Sequence, residues 1–192
     1  MYSQNQEEEH ILRYFEGQGP LRFLDVGAWD GKTFSNTYAL GELGWEGVLV
    51  EPGLEGFRGL VKNCGANPRL QLIHAALGQT KTLAKLWNTA DALSTTDPKN
   101  HEAWEAFTDF NCEFWVPQIT WDDIAFQFGG FQFVNIDTEG TSGALFVNML
   151  QTKEPELICV EHDGHAVELT GHAEAKGYKI VHLNGENVIF GK

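Results

Sequence analysis

Short apolar runs alternate with segments of helical composition along this chain of 192 residues. The runs are Leu21–Val26, Gly47–Pro52, Leu70–Leu77, Phe131–Asp137 and Leu157–His162. Thr33–Leu43, Leu54–Asn63, Ser142–Leu150 and Ala166–Lys176 carry the helical pattern between and after them. Nothing else in the sequence constrains the fold as strongly. Strands joined through helices pair in parallel, and right-handed crossovers place those helices on both faces of the sheet. A short helix, with Glu7–Glu9 leading into His10–Phe15, precedes the first strand. Thr120 is placed to cap a helix over Trp121–Phe128. Near the end, Asn184-Gly185 separates Tyr178–Leu183 from Glu186–Phe190, a hairpin signal that makes the last strands antiparallel. The length suits one domain, 1–192, with its own core.

An insert at about 87–116 breaks the regularity. Thr82–Trp87 and Glu113–Ile119 read as extended there, and His101–Phe110 as a helix. Trp87, Trp104, Phe107, Phe110, Phe114 and Trp115 crowd it, with Trp121 close behind. Most of these rings are expected in a small second core, and one or two in an acceptor pocket.

Four of the strands end in acids: Asp25, Glu51, Asp137 and the pair Glu161-His162. Ligands of open α/β sheets bind beyond the carboxyl ends of the strands. Glu51, followed by Pro52, stands twenty residues after Gly31, where a carboxylate accepts hydrogen bonds from the two hydroxyls of a ribose. The turn itself reads Asp25-x-Gly27-Ala28-Trp29-x-Gly31. A dinucleotide fingerprint needs a second glycine where Trp29 stands, and Asp25 repels a pyrophosphate. An NAD-dependent oxidoreductase is therefore the weaker reading. S-adenosylmethionine, an adenosine joined to a sulfonium and an α-ammonium group, suits the acids better. Gly27, Ala28 and Gly31 then shape its seat, and Asn36, one helical turn beyond Gly31, reaches cofactor or acceptor.

The formal net charge of −14 disfavours nucleic acid and anionic membrane surfaces as partners. Cys64, Cys112 and Cys159 show no C-x-x-C spacing, so neither a disulfide framework nor a zinc site is expected. No apolar run reaches the ~20 residues of a membrane span. Met1–Glu9 is too polar for a signal peptide, and the expected location is cytoplasmic.

Leu24–Thr37, Trp45–Pro52 and Phe133–Gly140, with Cys159–His162 and Glu186–Phe190 behind them, resemble in order the motifs of the FkbM family of S-adenosylmethionine-dependent methyltransferases. Asn135 departs from them, standing where that family often has lysine. The resemblance implies a class I, Rossmann-like fold with a seven-stranded, mostly parallel sheet and an antiparallel last strand. It implies O-methylation of a hydroxyl acceptor, with a sugar or glycan favoured, and an adenine pocket lined at the end of the third strand by Ala75 and Ala76, small enough to admit the ring. Asp137, Glu161 and His162 are then the catalytic candidates. Catechol-type O-methyltransferases have metal ligands at the same two strand ends, so the three are also a candidate Mg²⁺ or Mn²⁺ set. A catalytically silent cofactor-binding module is the reading outside enzymes.

Overall fold

The computed structural model describes residues 1–90 and 92–192; residue 91, inside the expected insert, lies outside the described residues. The chain runs through α1 (Glu7–Tyr14), β1 (Arg22–Val26), α2 (Tyr38–Glu42), β2 (Glu46–Val50) and α3 (Leu54–Cys64). It continues with β3 (Leu70–Ile73), β4 (Ala76–Leu77), β5 (Thr82–Asn88), α4 (Pro98–Trp104), β6 (Cys112–Ile119) and α5 (Trp121–Phe128). It closes with β7 (Phe133–Ile136), α6 (Ser142–Met149), β8 (Leu157–Glu161), α7 (Ala166–Glu174), β9 (Lys179–Leu183) and β10 (Asn187–Gly191).

Among the described residues, seven strands form one sheet in the order β3-β2-β1-β7-β8-β10-β9. Strand β10 runs antiparallel to both neighbours, and the other pairs are parallel. The Asn184-Gly185 hairpin closes as expected: Asn184 N–H donates to the Asn187 carbonyl at 3.0 Å. Alternation along the strands sends side chains to two cores. Leu24, Val26, Val134 and Ile136 pack on one face with Trp121 and Ile124 of α5, Phe146 of α6 and Leu169 of α7. Phe23, Leu49 and Phe133 pack on the other with Ile11 of α1, Leu40 of α2 and Leu60 of α3. Helices thus cover both faces, as the alternation of runs requires.

Three expectations shift. The helix expected over Thr33–Leu43 is only Tyr38–Glu42. Before it the chain follows a capped loop: Asp30 accepts from Lys32 and Thr33 N–H, and Ser35 Oγ accepts from Thr37 and Tyr38 N–H. Side chains that bond nearby backbone in this way compete with helix. The run Leu70–Leu77 divides at His74-Ala75. His74 bonds the Pro52 carbonyl at 3.1 Å and stacks on Phe57, while Ala76–Leu77 leave the main sheet to pair with Gln118–Ile119. The insert builds a second sheet, β4-β6-β5, and its helix starts earlier, at Pro98 behind an Asp97 cap.

Thr120 and Asp123 form a reciprocal capping box at the start of α5. Thr120→Ala removes one acceptor there and is expected to cost about 1 kcal/mol, a fall of ~2–4 °C in melting temperature for a chain of this size. An unchanged thermal transition would deny the cap its role.

Candidate active site

A cleft of about 1060 Å³, open mouth included, lies where β1, β2 and β7 release their chains. Asp25, Gly27, Ala28, Asn36, Glu51, Pro52, Ala75, Ala76 and Asp137 line it. Gly31 does not. A Cβ there would stand 2.4 Å from Leu60 Cδ1 and 2.8 Å from Cys64 Sγ, so this glycine serves the packing of α3. Gly27 does serve the cleft floor. Its φ is +81°, and a Cβ would lie 1.6 Å from the Asp137 carbonyl oxygen, so only glycine lets the ends of β1 and β7 meet.

Glu51 is buried and clamped by backbone: Oε2 accepts from Trp29 N–H at 2.8 Å and Oε1 from Gly53 N–H at 2.5 Å. Burial pushes its carboxyl up to about 7 against those two hydrogen bonds, with the nearby Asp25 charge adding to the rise. The clamp holds Trp29 at φ 45°, and Phe34 follows at φ 58°. Positive φ in two aromatic residues is uncommon, and such backbone collects at ligand sites. Their rings lie near-parallel, with centroids 6.4 Å apart, at the cleft wall.

Asp25 sits within the sheet rather than at its rim. The register places it beside Asn135, and Asn135 beside Cys159, all on the face covered by α1–α3. Thr37 Oγ1 donates to Asp25 Oδ2 at 2.6 Å and Asn135 Nδ2 to Oδ1 at 2.9 Å. Asn36 Nδ2 donates in turn to Asn135 Oδ1 at 3.0 Å. Burial raises the Asp25 carboxyl above its ordinary range, opposed by the hydrogen bonds from Thr37 and Asn135.

At the other end of the cleft, Asp137, Glu139 and Glu161 offer oxygens within 4.8 Å of one another, an all-carboxylate set of the kind hard divalent cations take. Burial raises the carboxyls of both Asp137 and Glu161. The charge of Glu139 adds to the rise at Asp137, and that of Asp137 to the rise at Glu161. Ser142, at the start of α6, contacts Glu161 Oε2 at 3.3 Å. His162 does not join these acids, contrary to its expected place in both the catalytic and the metal set. Its Nδ1 accepts from Gly164 N–H at 3.0 Å and Nε2 bonds the Asn184 carbonyl at 3.2 Å. Both nitrogens are spent on the β8–α7 turn and the hairpin, and the ring borders a separate groove.

The insert closes the cleft with its hydroxyl-bearing stretch rather than with its rings. Ala92, Ser94 and Thr96 line it, and Thr95 Oγ1 donates to the Glu139 carbonyl at 2.7 Å. The insert's aromatic residues do not. Trp87 stacks on His101, Phe107 and Trp115 are exposed, and Trp121 is core. Gln4 of the N-terminal segment completes the wall, and no sequence signal marked it. The cleft lining contains four carboxylates, Asp25, Glu51, Asp137 and Glu139, and among the described residues no Lys, Arg or His.

No family model matches the chain, and no curated protein matches it. Solved structures do. A proposed RNA methyltransferase from Pyrococcus horikoshii superposes with a TM-score of 0.55 at 11% identity, covering 98% of this chain and 82% of its own. The fold is that of Rossmann-like methyltransferases. A proposed tRNA (m1A22) methyltransferase from Streptococcus pneumoniae gives 0.52 at 16% identity, over 100% and 70% of the two chains. Precorrin-6y C5,15-methyltransferase from Geobacter metallireducens gives 0.53 at 11%, over 96% and 86%. At these identities the likeness is one of architecture.

Proposed function

We propose that the chain is an S-adenosylmethionine-dependent O-methyltransferase, related to the FkbM family by its motifs and acting on the hydroxyl of a sugar or glycan. The observation that carries the cofactor is the charge of the cleft: four carboxylates and no cationic side chain among the described lining residues. Such a lining repels the pyrophosphate of a dinucleotide and suits a ligand bearing ammonium and sulfonium groups. The loop at 33–37 also lacks the helix N-terminus that a pyrophosphate would need. Glu51 is the ribose acceptor, Ala75 and Ala76 flank the adenine, and Pro52 and Ala28 shape the walls. Gly31 acts only through packing. When bound, S-adenosylmethionine supplies an electrophilic methyl group.

Asp137 stands at the end of β7 with a raised carboxyl, which suits it to accept a proton from an acceptor hydroxyl near neutral pH. Glu161 supports it from β8. The three-acid cluster is also the site at which Mg²⁺ or Mn²⁺ would act if activity proves sensitive to chelation.

Some fold relatives are named as RNA methyltransferases, but the net charge of −14 opposes a polyanionic acceptor. A glycan is therefore favoured, in a cytoplasmic setting that fits the three free cysteines. Among the described residues no helix is long and apolar enough to cross a membrane.

Thermal melting tests the cofactor. S-adenosylhomocysteine at a hundredfold excess over its Kd adds about 2.7 kcal/mol of stability and raises the transition, while NAD leaves it in place. Stabilisation by NAD alone would end the methyltransferase reading. Transfer of label from methyl-tritiated cofactor into tRNA, and not into neutral oligosaccharides, would replace the glycan by RNA.

A further inference from the structure

Glu139 and Gly140 carry the chain from β7 toward α6 with positive φ at both, 50° and 98°. For a glutamate that backbone is uncommon, and it persists only where the surroundings hold it. The side chains oppose it as well. Asp137, Glu139 and Glu161 bring carboxylate oxygens within 4.8 Å of one another, and like charges push apart. The sheet and α6 secure the two ends of the turn. Asp137 N–H donates to the Val26 carbonyl at 2.9 Å, Thr138 N–H to Ser142 Oγ at 2.9 Å, and Leu145 N–H to the Thr141 carbonyl at 3.0 Å.

In the middle of the turn the insert makes contact. Thr95 Oγ1 donates to the Glu139 carbonyl at 2.7 Å and accepts from Asp97 N–H at 3.0 Å. The Asn100 amide lies against Gly140, where a Cβ would stand 2.2 Å from its Nδ2. Thr95 is itself fixed. It is 1% exposed and exchanges two backbone hydrogen bonds with Trp87 of β5, at 3.0 and 3.1 Å. Asp97 in turn caps α4 by accepting from Lys99 N–H at 2.9 Å. One hydroxyl therefore joins the edge of the second sheet, the start of α4 and the turn that bears two of the three acids.

We propose that Thr95 is a positioning residue for methyl transfer: its hydroxyl holds the Glu139–Gly140 turn, and with it the carboxylates of Asp137 and Glu139, to an insert that is a fixed wall of the cleft rather than a lid. The inference rests on the methyltransferase reading. Thr95 stands behind the cleft lining, so it acts through the turn and not on the reacting atoms. In-line transfer depends on near-attack geometry, and small displacements of a positioned group are costly. Thr96, next in the chain, lines the cleft and is placed by the same anchor.

Two measurements on the full chain test this. The first, backbone amide relaxation dispersion by NMR, needs no acceptor. Glu139 and Gly140 should give flat profiles in the unaltered chain. Thr95→Val keeps the shape and loses the hydroxyl; it should bring microsecond-to-millisecond exchange to those two amides, and Thr95→Ser should remove it. The second is label transfer from methyl-tritiated cofactor into neutral oligosaccharides. Thr95→Val should lower kcat about tenfold and leave KM for the cofactor within about twofold, with the rate restored in Thr95→Ser. A merely structural role would spread exchange through β5 and α4 and weaken cofactor binding together with turnover. That result overturns the proposal, as does an unchanged kcat in Thr95→Val or exchange at the turn of the unaltered chain. Should Thr95→Val not fold, Asn100→Ala removes the neighbouring contact from a helix and decides in its place. If the unaltered chain binds S-adenosylhomocysteine but labels no oligosaccharide, the acceptor reading fails instead, and the dispersion profiles decide whether Thr95 holds the turn.

Discussion

Glu51→Ala is expected to weaken S-adenosylhomocysteine binding by two orders of magnitude or more while the chain keeps its fold. The carboxylate already accepts one backbone N–H on each oxygen, from Trp29 and Gly53. Each oxygen keeps a second lone pair, and two ribose hydroxyls can use them. Hydrogen bonds to a charged acceptor are worth about 1.5–3 kcal/mol each, so losing two gives roughly a hundredfold at least. The same carboxyl makes binding depend on pH. Its folded-state value, about 7, lies above the ordinary 4.5. Without ligand, its stabilising contribution is complete below pH 4.5 and is lost as pH rises through 7, a change on the order of 3 kcal/mol. Ligand hydroxyls give the ionised form the donors it lacks, so affinity should rise about tenfold between pH 6 and pH 8. Glu51→Gln should flatten that profile. Calorimetry at the two pH values checks both, and a flat profile in the unaltered chain would remove Glu51 from the ribose.

Much of this architecture was legible in the sequence because its determinants are local. Alternating runs set the parallel strands, and Asn184-Gly185 set the hairpin that turns β10. Acids at strand ends brought Glu51 and Asp137 to one cleft, since chain direction alone decides which edge they share. What escaped depends on partners distant in sequence. Ala76–Leu77 look continuous with β3, but β6 draws them away into the second sheet. His162 follows a strand end like the acids do, yet the carbonyl of Asn184, in the next hairpin, takes its ring out of the site. Gly31 and Gly27 look alike in the turn. The difference lies in what faces them, α3 at one and the backbone of Asp137 at the other. Gln4 reaches the cleft from a segment with no motif at all. The hydrogen-bond chain through Asn36, Asn135 and Asp25 needed the lateral register of β1 on β7, which no stretch of sequence shows.

Asp137→Asn is expected to bind S-adenosylhomocysteine within about twofold of the unaltered chain and to lose methyl transfer by a factor of roughly 10²–10⁴, the usual share of a general base. The substitution preserves shape, and Glu51, the proposed ribose acceptor, follows β2 rather than β7, so binding is expected to change little. Turnover does, because an amide cannot accept the hydroxyl proton. The pairing with Glu161 sharpens the test. Desolvation raises both carboxyls, and the Asp137 charge adds to the rise at Glu161, so the pair is expected to keep a proton at neutral pH. Infrared difference spectra of the ligand-free chain should therefore show at pH 7 a protonated-acid carbonyl stretch, shifted in D2O, that is lost in Glu161→Gln and is distinct from the contribution removed by Glu51→Gln. That readout requires no acceptor. Label transfer from methyl-tritiated cofactor into neutral oligosaccharides supplies the other half, run with and without EDTA. Full activity in Asp137→Asn would sink the base. Activity abolished by chelation and restored by Mg²⁺ or Mn²⁺ would instead assign the three carboxylates to a cation, with the acceptor hydroxyl activated there rather than by Asp137 alone.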